Sequence, residues 1–342
     1  MHKDIVEKKV IITGYGTVAR ELVNLLEQQK DRLVKEYQTY YNVVGIVGLN
    51  GMIYEEQGID LALLLTLGKG SEAVEQYAKR KSILIQQPVY KGDVLIECTP
   101  TDLETGEPAL SYITNALSAK MHIVSVSKGA LIHALPLFKK MAKKNNCEIK
   151  YSGATAAALP TMDIGDFSLA GCQITSIEGI LNGTSNFILT SMSEENLSFE
   201  HALKMAQERG IAEANPALDI QGLDSACKIL LLANGLLHTQ LTLQDISIEG
   251  IEKVTKADMQ YAKIKGNEIK LIASAVVKND EVVVKVAPKV IQPENPLIHV
   301  KGTNKGILFH TEEMGTICCL GGASHPKGAA AAALKDMINL FR

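Results

Sequence analysis

A loop rich in charged residues leads into an apolar helix near the middle of the chain, between residues 206 and 228. Asp224 and Lys228 are four residues apart, so on a helix they lie on the same face. The apolar run 229–233 that follows predicts that this helix is buried. A lysine beside carboxylates at the edge of a buried helix has a proton affinity that its neighbours control. Because such a group can give or take a proton, we predict that segment 206–228 is the active site.

A second pattern with chemical meaning lies near the N-terminus. The short apolar strand predicted at 9–13 is followed by G-x-G-x-x-A and then by a helical pattern. The glycines permit a tight turn and a close approach of the backbone to a pyrophosphate, which the helix N-terminus attracts. The motif alone is weak, but its place between a strand and a helix favours a dinucleotide site over a structural turn. We expect Gly14, Gly16, Thr17 and Val18 to contact the dinucleotide.

The end of the second predicted strand does not indicate which dinucleotide is bound. In this type of fold an acidic residue there binds the ribose 2′-hydroxyl of NAD, whereas an arginine accommodates the 2′-phosphate of NADP. The strand is predicted at 41–47, and Gly48-Leu49-Asn50-Gly51 follows it. Neither an acidic residue nor an arginine stands in this segment, so NAD and NADP both remain open.

Strands and helices alternate through residues 1–150, which predicts a doubly wound parallel sheet, the Rossmann fold of a nucleotide-binding domain. The predicted elements are strands at 9–13, 41–47, 93–98 and 121–126, a helix and a loop at 60–80, and helices at 107–119 and 135–144. Two strands end in Thr99-Pro100-Thr101 and Ser127-Lys128-Gly129, at the sheet edge where such folds bind ligands. For Lys128, a ligand contact and an ordinary loop position are equally consistent with the sequence.

The composition changes near residue 150, where segment 151–160 is rich in small residues. Residues 151–315 then mix helices and strands and predict an α+β domain, to which the family resemblance given below assigns catalysis, substrate binding and dimerisation. Its predicted elements are strands at 174–181, 268–277, 281–287 and 303–309, and helices at 187–192 and 198–210, the second with Ser198 as N-cap. A glycine loop at 321–328 precedes a terminal helix. We expect residues 316–342 to return to the first domain and complete it.

Composition and charge argue against several classes of protein. A net charge of −3 provides no basic surface for nucleic acid, and no apolar run reaches the roughly 18–20 residues of a membrane-spanning helix. The N-terminal sequence lacks the apolar core of a signal peptide. The six cysteines form no C-x-x-C pair, which is typical of reduced thiols and not of disulfides or a zinc site. We therefore expect a cytoplasmic protein that acts on a small molecule.

With these motifs, the chain resembles the homoserine dehydrogenase family over nearly its whole length. The central segment matches the spacing of the family signature at Ala206, Gly210, Ile211, Asn215-Pro216, Asp219-Ile220, Gly222, Asp224 and Lys228. Further resemblance lies in the N-terminal glycine loop, Thr99-Pro100-Thr101, Ser127-Lys128-Gly129, and the segments 179–184 and 302–315. The long central signature is the most specific of these matches.

The resemblance implies a reversible reaction that interconverts L-homoserine and L-aspartate 4-semialdehyde with NAD(P), on the route to threonine and methionine. It implies that Lys228 donates the proton to the aldehyde oxygen and that Asp224 binds and orients the substrate. It implies that Lys128 lies at the junction of cofactor and substrate and that Glu213 binds the substrate amino group. A zwitterionic substrate needs carboxylates for its ammonium, and Asp219 is a further candidate.

The resemblance also implies contacts made largely by backbone. The substrate site includes Gly183 and Thr184. The further cofactor contacts are expected at Thr99, Pro100, Lys128, Gly210, Gly322 and His325. For His325, which lies where the family has small residues, a contact with the cofactor phosphates and an ordinary loop position both remain open.

The sequence departs from the family at the domain junction. Family members hold a monovalent cation there with a glutamate and backbone carbonyls. Ser152 stands at the position of the glutamate, while carbonyls near Thr155, Ala157 and Leu159 remain. The replacement argues against a bound cation, and we assign no metal ligand. Because the sequence ends soon after the terminal helix, we also expect a short form without the regulatory ACT domain, and a homodimer formed through the β-rich second half.

Two other functions compete with this assignment. An aspartate-semialdehyde dehydrogenase needs a nucleophilic cysteine near a histidine, but Cys227 opens an apolar helix and has no histidine beside it in the sequence. A non-catalytic nucleotide sensor would keep the glycine loop without needing a lysine and several carboxylates. A sensor is disfavoured because the chain keeps the whole set of charged residues expected at the site: Lys128, Glu213, Asp219, Asp224 and Lys228.

Overall fold

The computed structural model describes residues 5–322 and 325–342. The predicted glycine loop 321–328 includes residues 323 and 324, so that part of the prediction lies outside the described residues. In chain order the elements are β1 (Val6–Thr13), α1 (Thr17–Tyr37), β2 (Thr39–Gly48), β3 (Gly51–Tyr54), α2 (Leu61–Thr66), α3 (Ser71–Lys81), β4 (Val94–Glu97), α4 (Ala109–Ser118), β5 (His122–Ser125), α5 (Gly129–Lys144), β6 (Ile149–Lys150), α6 (Ser152–Thr155), α7 (Thr161–Asp163), β7 (Ile174–Ile180), α8 (Gly183–Glu194), α9 (Phe199–Glu208), α10 (Ala217–Ile220), α11 (Leu223–Leu236), β8 (Ser247–Ile248), α12 (Lys256–Ile264), β9 (Glu268–Lys278), β10 (Glu281–Ile291), β11 (Lys305–Thr311), β12 (Gly315–Gly321) and α13 (Pro326–Leu340). Within the described ranges, none of the helices combines the length and apolar character needed to cross a bilayer.

The chain forms two compact units. The first contains Met1–Ala154 and His325–Arg342, and the second contains Thr155–Ser324. The division expected from the sequence, after residues 150 and 315, differs at both boundaries. Strand β12 belongs to the second unit because it pairs along its length with β11, from Lys305 opposite Gly321 to Thr311 opposite Gly315.

The first unit contains a six-stranded sheet in the order β3-β2-β1-β4-β5-β6. Its strands are parallel except for β3, which forms an antiparallel hairpin with β2. Adjacent residues of β1, such as Ile11 and Ile12, are both buried. Burial on both faces is typical of parallel strands that helices cover on both sides. The doubly wound α/β fold predicted for this part of the chain is confirmed.

The terminal helix α13 packs against α1 in the first unit, so the predicted return of the chain to its N-terminal domain is confirmed. Leu22 and Leu26 of α1 share one buried core with Ala333 and Met337 of α13. The small side chains of the alanine run let the two helices approach closely.

A buried carboxylate ties α13 to the rest of its unit. Asp336 is only 1% exposed, and it accepts hydrogen bonds from the backbone nitrogen of Ser152 at 2.8 Å and from the Ser152 hydroxyl at 2.7 Å. The Lys335 ammonium lies 3.0 Å from the same carboxylate and donates to the Ser152 hydroxyl at 2.9 Å. Burial raises the pKa of Asp336, while Lys335 and Ser152 act in the opposite direction. Ser152 therefore donates two hydrogen bonds that hold α13 in its unit.

The second unit contains a six-stranded sheet in the order β12-β11-β7-β9-β10-β8. Neighbouring strands are antiparallel except for β10 and β8. The predicted pairing of the strands that became β9 and β10 is confirmed over their full lengths. Helices α8, α11 and α12 pack against β9. The apolar run 229–233 of α11 is buried, as predicted.

Two helices begin earlier than the sequence indicated. Helix α5 starts at Gly129 and continues through Pro136, where the prediction began it near Leu135. Proline removes one backbone donor, but burial of the first turns, including Ala130 and Leu131, outweighs that loss. Helix α8 starts at Gly183 instead of residue 187 because the preceding residue caps it. Strand β3 and helix α12 were not predicted.

A buried lysine supports the loop that precedes β11. Lys270 in β9 is 1% exposed and its ammonium donates to the carbonyl of Val300 at 2.8 Å. The amide of Asn186 donates to the carbonyls of Val300, Gly302 and Asn304 at 3.0–3.2 Å. Burial lowers the pKa of Lys270 to about 8, because the charged form loses its hydration.

Replacement of Lys270 with methionine should stabilise the protein at neutral pH, since a side chain of similar length then carries no buried charge. The carbonyl of Val300 keeps its hydrogen bond from Asn186. A pKa shift from 10.5 to about 8 corresponds to about 3 kcal/mol. We therefore expect the free energy of unfolding, measured by denaturant titration at neutral pH, to rise by about 1–3 kcal/mol in Lys270→Met.

The pKa of Lys270 also predicts how the stability of the wild-type protein changes with pH. Between pH 8 and 10.5 the unfolded chain holds a proton on Lys270 that the folded state has lost, so the wild-type protein gains stability as the pH rises through this window. The advantage of Lys270→Met should disappear over the same range. Lys278→Met, on the exposed end of the same strand, should change stability by less than about 0.5 kcal/mol. A Lys270→Met variant less stable than the wild type at neutral pH would contradict this account.

Candidate active site

The turn between β7 and α8 places Asn182 at the centre of a polar cluster in the second unit. Its side-chain oxygen caps α8 by accepting a hydrogen bond from the backbone nitrogen of Ser185 at 2.8 Å. Its side-chain nitrogen donates to Asp219 Oδ1 at 2.6 Å and to Asp224 Oδ2 at 2.8 Å. One asparagine therefore fixes the start of a helix and two carboxylates.

Helix α11 places Lys228 one turn after Asp224, as the spacing predicted. The Lys228 ammonium lies 2.6 Å from Asp224 Oδ2 and donates to the carbonyl of Leu181 at 2.8 Å. The two charged side chains are 14% and 12% exposed, respectively. Since an ammonium has three N–H donors, these two acceptors in the described part of the chain hold it in one orientation and leave a hydrogen for a ligand.

Asp219 lies in the short helix α10 and completes the cluster. Burial raises its pKa, and the negative charge of Asp224 raises it further, whereas the hydrogen bond from Asn182, the nearby Thr184 hydroxyl and the charge of Lys228 lower it. The two carboxylates that share the Asn182 amide thus repel each other. A positive group bound beside them would relieve that repulsion, so the pair is suited to an ammonium.

The structure brings together only part of the predicted substrate set. Gly183 and Thr184 form the first turn of α8, and the Thr184 hydroxyl donates to the carbonyl of Ile211 at 3.2 Å. Glu213 lies on the exposed loop after α9. Among the described residues, no hydrogen bond or ion pair joins its carboxylate to the cluster around Asn182, so its substrate contact stays a prediction.

Two glycines expected at the cofactor have local reasons to be glycine. Gly210 ends α9 with φ 68°, a left-handed conformation that commonly terminates helices. Gly322 has φ 64°, and a Cβ there would lie 2.8 Å from the backbone nitrogen of Leu159. These requirements explain the residue type without a ligand, and a cofactor contact at either position stays a prediction.

In the first unit, the predicted dinucleotide loop joins β1 to α1. Gly14 has φ 78°, and a Cβ there would lie 2.8 Å from the carbonyl oxygen of Cys98. At Gly16, by contrast, a Cβ would meet nothing within 4 Å. No side chain caps α1, whose first residues are Thr17 and Val18. The N-terminus of this long helix therefore presents backbone donors and a positive dipole, which suit a phosphate.

The loop between α2 and α3 lies against this turn, a contact that the sequence did not predict. The Lys69 ammonium donates to the hydroxyl of Thr17 at 2.7 Å. Gly70 N donates to the carbonyl of Tyr15 at 2.6 Å, and the Arg20 guanidinium donates to the carbonyl of Gly68 at 3.1 Å. Lys69 therefore adds a positive charge beside the helix N-terminus. Its signal in the sequence, an isolated Gly-Lys-Gly, gives no indication of which turn it contacts.

The carboxylate of Glu97 organises the two ligand loops at the carboxyl edge of the first sheet. The side chain is completely buried. It accepts hydrogen bonds from the backbone nitrogen of Thr99 at 2.8 Å, the Thr99 hydroxyl at 2.5 Å, the Ser125 hydroxyl at 2.9 Å and the Ser127 hydroxyl at 2.6 Å. Four donors on one buried acceptor hold the loop after β4 and the loop after β5 in fixed positions. The sequence did not single out Glu97.

The two loops are also joined at their ends. The backbone nitrogen of Lys128 donates to the Thr101 hydroxyl at 3.4 Å, and a Cβ at Gly129 would clash with the backbone oxygen of Asp102. Lys128 is the N-cap residue of α5. The structure thus places Lys128 beside the loop that contains Thr99 and the exposed Pro100, as expected for neighbouring parallel strands.

Two further predicted positions can be located. After β2 the chain turns at once into the hairpin with β3, and the Leu49 nitrogen donates to the Ser71 hydroxyl at 2.7 Å. The residues of this short turn, like the sequence, provide no acidic side chain at the end of β2. His325 is the N-cap of α13, where its Nδ1 accepts from the Lys327 nitrogen at 3.1 Å. The histidine therefore has a structural role in that helix.

The geometry supports acid–base chemistry on a small polar ligand. Lys228 is an oriented proton donor, and Asp219 and Asp224 supply negative charge next to it. Within the residues that the structure describes, no three His, Cys, Asp or Glu side chains are grouped to hold a metal ion. In the first unit, the uncapped N-terminus of α1 has the donors and dipole that suit an anion.

Comparisons with known proteins agree with both halves of this description. A family model described as the NAD-binding domain of homoserine dehydrogenase matches residues 14–152, and a homoserine dehydrogenase family model matches residues 160–338. The second model contains the whole cluster around Asn182, and the first contains the turn at Gly14 and both loops held by Glu97.

Full-length relatives show the same similarity. The chain is 34% identical to a homoserine dehydrogenase from Methanocaldococcus jannaschii, over 97% of this chain and 98% of the relative. It is 32% identical to an NAD(+)-dependent homoserine dehydrogenase from Pseudomonas canavaninivorans, over 98% and 97%. A crystal structure from Archaeoglobus fulgidus, assigned by its description to the same enzyme, superposes with a TM-score of 0.84 at 28% identity, over 98% of this chain and 99% of that one.

Replacement of Glu97 with glutamine tests the role of the buried carboxylate. Glutamine has nearly the same shape but turns one acceptor oxygen into an NH2 group that faces hydroxyl donors. We expect Glu97→Gln to lower the free energy of unfolding by about 1–3 kcal/mol and to increase amide hydrogen exchange at Thr99, Thr101 and residues 127–129. Glu104→Gln, at an exposed position of the same loop region, serves as the control. Unchanged exchange in both loops of Glu97→Gln would show that the carboxylate does not hold them.

Proposed function

The chain belongs to the homoserine dehydrogenase family and is an NAD(P)-dependent oxidoreductase, and we propose that its cluster around Asn182 is the site that interconverts L-homoserine and L-aspartate 4-semialdehyde. The observation that carries the proposal is the Lys228–Asp224 ion pair at 2.6 Å, joined through Asn182 to Asp219. It combines a proton donor with carboxylates for the substrate ammonium.

Lys228 is the proposed acid. When bound, the nicotinamide ring supplies or accepts the hydride. In the direction of reduction the aldehyde oxygen gains negative charge, and the Lys228 ammonium neutralises it by donating a proton. Asp224 holds that ammonium in place, and the carbonyl of Leu181 fixes its orientation. In the direction of oxidation the same nitrogen accepts the proton from the homoserine hydroxyl.

Substrate orientation is assigned to the surrounding residues. Asp219 and Asp224 repel each other across the Asn182 amide, which favours the substrate ammonium beside them. Glu213 contributes a further carboxylate from its exposed loop, while Gly183 and Thr184 line the site at the first turn of α8.

The dinucleotide is assigned to the first sheet and the terminal glycine loop. Its contacts are proposed at Gly14, Gly16, Thr17, Val18, Thr99, Pro100, Lys128, Gly210, Gly322 and His325. Support comes from the open N-terminus of α1 and from the Glu97 network that fixes the loop at Thr99. Lys128 is proposed as a catalytic group that places positive charge where cofactor and substrate meet.

We further propose that the enzyme is a cytoplasmic homodimer assembled through the sheet of the second unit. Exposed apolar side chains on that sheet, including Val283 of β10 and Leu320 of β12, support this arrangement. Light scattering should give twice the chain mass of 37.0 kDa. A mass of one chain at micromolar concentration would contradict it.

The reaction is tested by following the absorbance of reduced nicotinamide in a mixture of the protein, L-homoserine and either NAD+ or NADP+. We expect homoserine-dependent reduction of at least one nucleotide, and the ratio of the two kcat/KM values establishes the preference. The absence of homoserine-dependent reduction with both nucleotides would refute the proposed activity.

Replacement of Lys228 with alanine should lower kcat by about 10²–10⁴-fold, because the proton donor is lost. Lys204→Ala is the matched control, since Lys204 lies on the exposed face of α9 and has no role in the proposed chemistry. Circular dichroism and the Tm of both variants establish that they fold. A folded Lys228→Ala variant with near-normal kcat would remove Lys228 from its role.

A further inference from the structure

The monovalent-cation site that the family resemblance implies does not fit the residues of this chain. Ser152 takes the position of the ligating glutamate, and a serine hydroxyl brings no negative charge. Both its backbone nitrogen and its hydroxyl donate to Asp336 within the first unit. The Lys335 ammonium already lies 2.9 Å from that hydroxyl. Ser152 is therefore committed to a different network.

The turn at residues 155–161 follows Ser152 in the sequence and belongs to the second unit. A cationic side chain of the same unit already contacts it. Lys305, the first residue of β11, is only 2% exposed. Its nitrogen donates to the carbonyl oxygen of Ala156 at 2.9 Å. A buried lysine is costly unless polar groups replace its water, so this contact must be part of what makes its burial tolerable.

The turn has a shape that requires such support. Ala157 has φ 53°, a left-handed conformation that is uncommon for a residue with a side chain. The carbonyl of Ala156 also accepts from Leu159 N at 3.2 Å, and the carbonyl of Leu159 accepts from Thr161 N at 2.8 Å. The carbonyl of Ala156 thus accepts from both Leu159 N and the Lys305 ammonium, so the lysine supplements the local hydrogen bond of an irregular turn.

The position of Lys305 is fixed from its own side. In the pairing of β11 and β12 it lies opposite Gly321, and the preceding carbonyl of Asn304 accepts from the Asn186 amide at 3.2 Å. Gly322, the next residue after its partner, packs against the backbone of Leu159. The turn, Lys305 and the start of the C-terminal glycine loop therefore form one packed group.

We propose that the Lys305 ammonium is an internal replacement for the structural monovalent cation, so that this enzyme needs neither Na⁺ nor K⁺. An ammonium and a monovalent metal ion both place one positive charge among oxygen dipoles, but the lysine is covalently attached and is present at every ionic composition. Lys305 positions turn 155–161 and, through Leu159, the backbone at Gly322.

The test compares salts at constant ionic strength, with KCl, NaCl or N-methyl-D-glucamine chloride. The wild-type protein should show the same Tm and, within about twofold, the same rate of homoserine oxidation in all three. A saturable increase of Tm or rate with Na⁺ or K⁺ that the organic cation does not reproduce would overturn the proposal. Because Tm does not depend on catalysis, this outcome is distinct from failure of the proposed activity.

Two variants test Lys305 directly. Lys305→Met keeps the length of the side chain but removes the positive charge that the proposal assigns to turn 155–161, so it should lower the Tm by about 2–4 °C or more. Lys270→Met differs because the Val300 carbonyl keeps a side-chain donor, the Asn186 amide. Lys278→Met, exposed on β9, should leave the Tm unchanged. An unchanged Tm in Lys305→Met would overturn the proposal. If that variant does not fold, the comparison of salts on the wild-type protein still decides.

Lys305→Ala separates charge from packing, since it opens space beside the Ala156 carbonyl. Ammonium chloride should raise the Tm of Lys305→Ala in a saturable way and should not raise that of the wild type or of Lys278→Met. If Lys305→Ala loses the same stability in ammonium and N-methyl-D-glucamine chloride, Lys305 contributes only packing and the proposal is wrong.

Discussion

A buried carboxylate is stable only when hydrogen-bond donors replace its lost water, and both units of this protein depend on that constraint. In the first unit, Glu97 receives four donors from the loops after β4 and β5, so one buried side chain sets the shape of the ligand edge of the sheet. In the second unit, Asp219 and Asp224 share the amide of Asn182. Each functional region is therefore assembled around an acceptor that the surrounding chain has to satisfy.

The two solutions differ in chemical consequence. The donors to Glu97 are a backbone nitrogen and hydroxyl groups, which are neutral and do not ionise near neutral pH, so this network is suited to holding loops. Asp224 instead shares its charge with Lys228, a group that can transfer a proton. The nearby Asp219 has a raised pKa because burial and Asp224 both disfavour its charge. Rigid positioning and acid–base chemistry thus arise from the same requirement met by different donors.

Local patterns were sufficient to predict the elements but not the connections between them. The Gly14 turn, the parallel sheet, the pairing of β9 with β10 and the placement of Asp224 above Lys228 all follow from periodicity and spacing. Asn182 lies in the segment 179–184 that resembles the family, but its two partners are 37 and 42 residues away, so the sequence does not indicate that they meet. Glu97 was read as the end of an apolar strand, and Lys69 as part of a loop. Long-range hydrogen bonds leave no periodic signal, so the residues that bind elements together were the ones missed.

The buried lysines were also missed by local sequence patterns, and their contacts explain why. A hydrophobic pattern treats lysine as a surface residue, yet Lys270 and Lys305 are almost completely buried. Each ammonium points at a carbonyl in irregular backbone, Val300 for Lys270 and Ala156 for Lys305. Irregular segments cannot satisfy their carbonyls with regular strand or helix bonds, and a lysine on a neighbouring strand reaches them with up to three donors. The cost of burying the charge is therefore incurred where loops next to the sheet must hold a fixed shape.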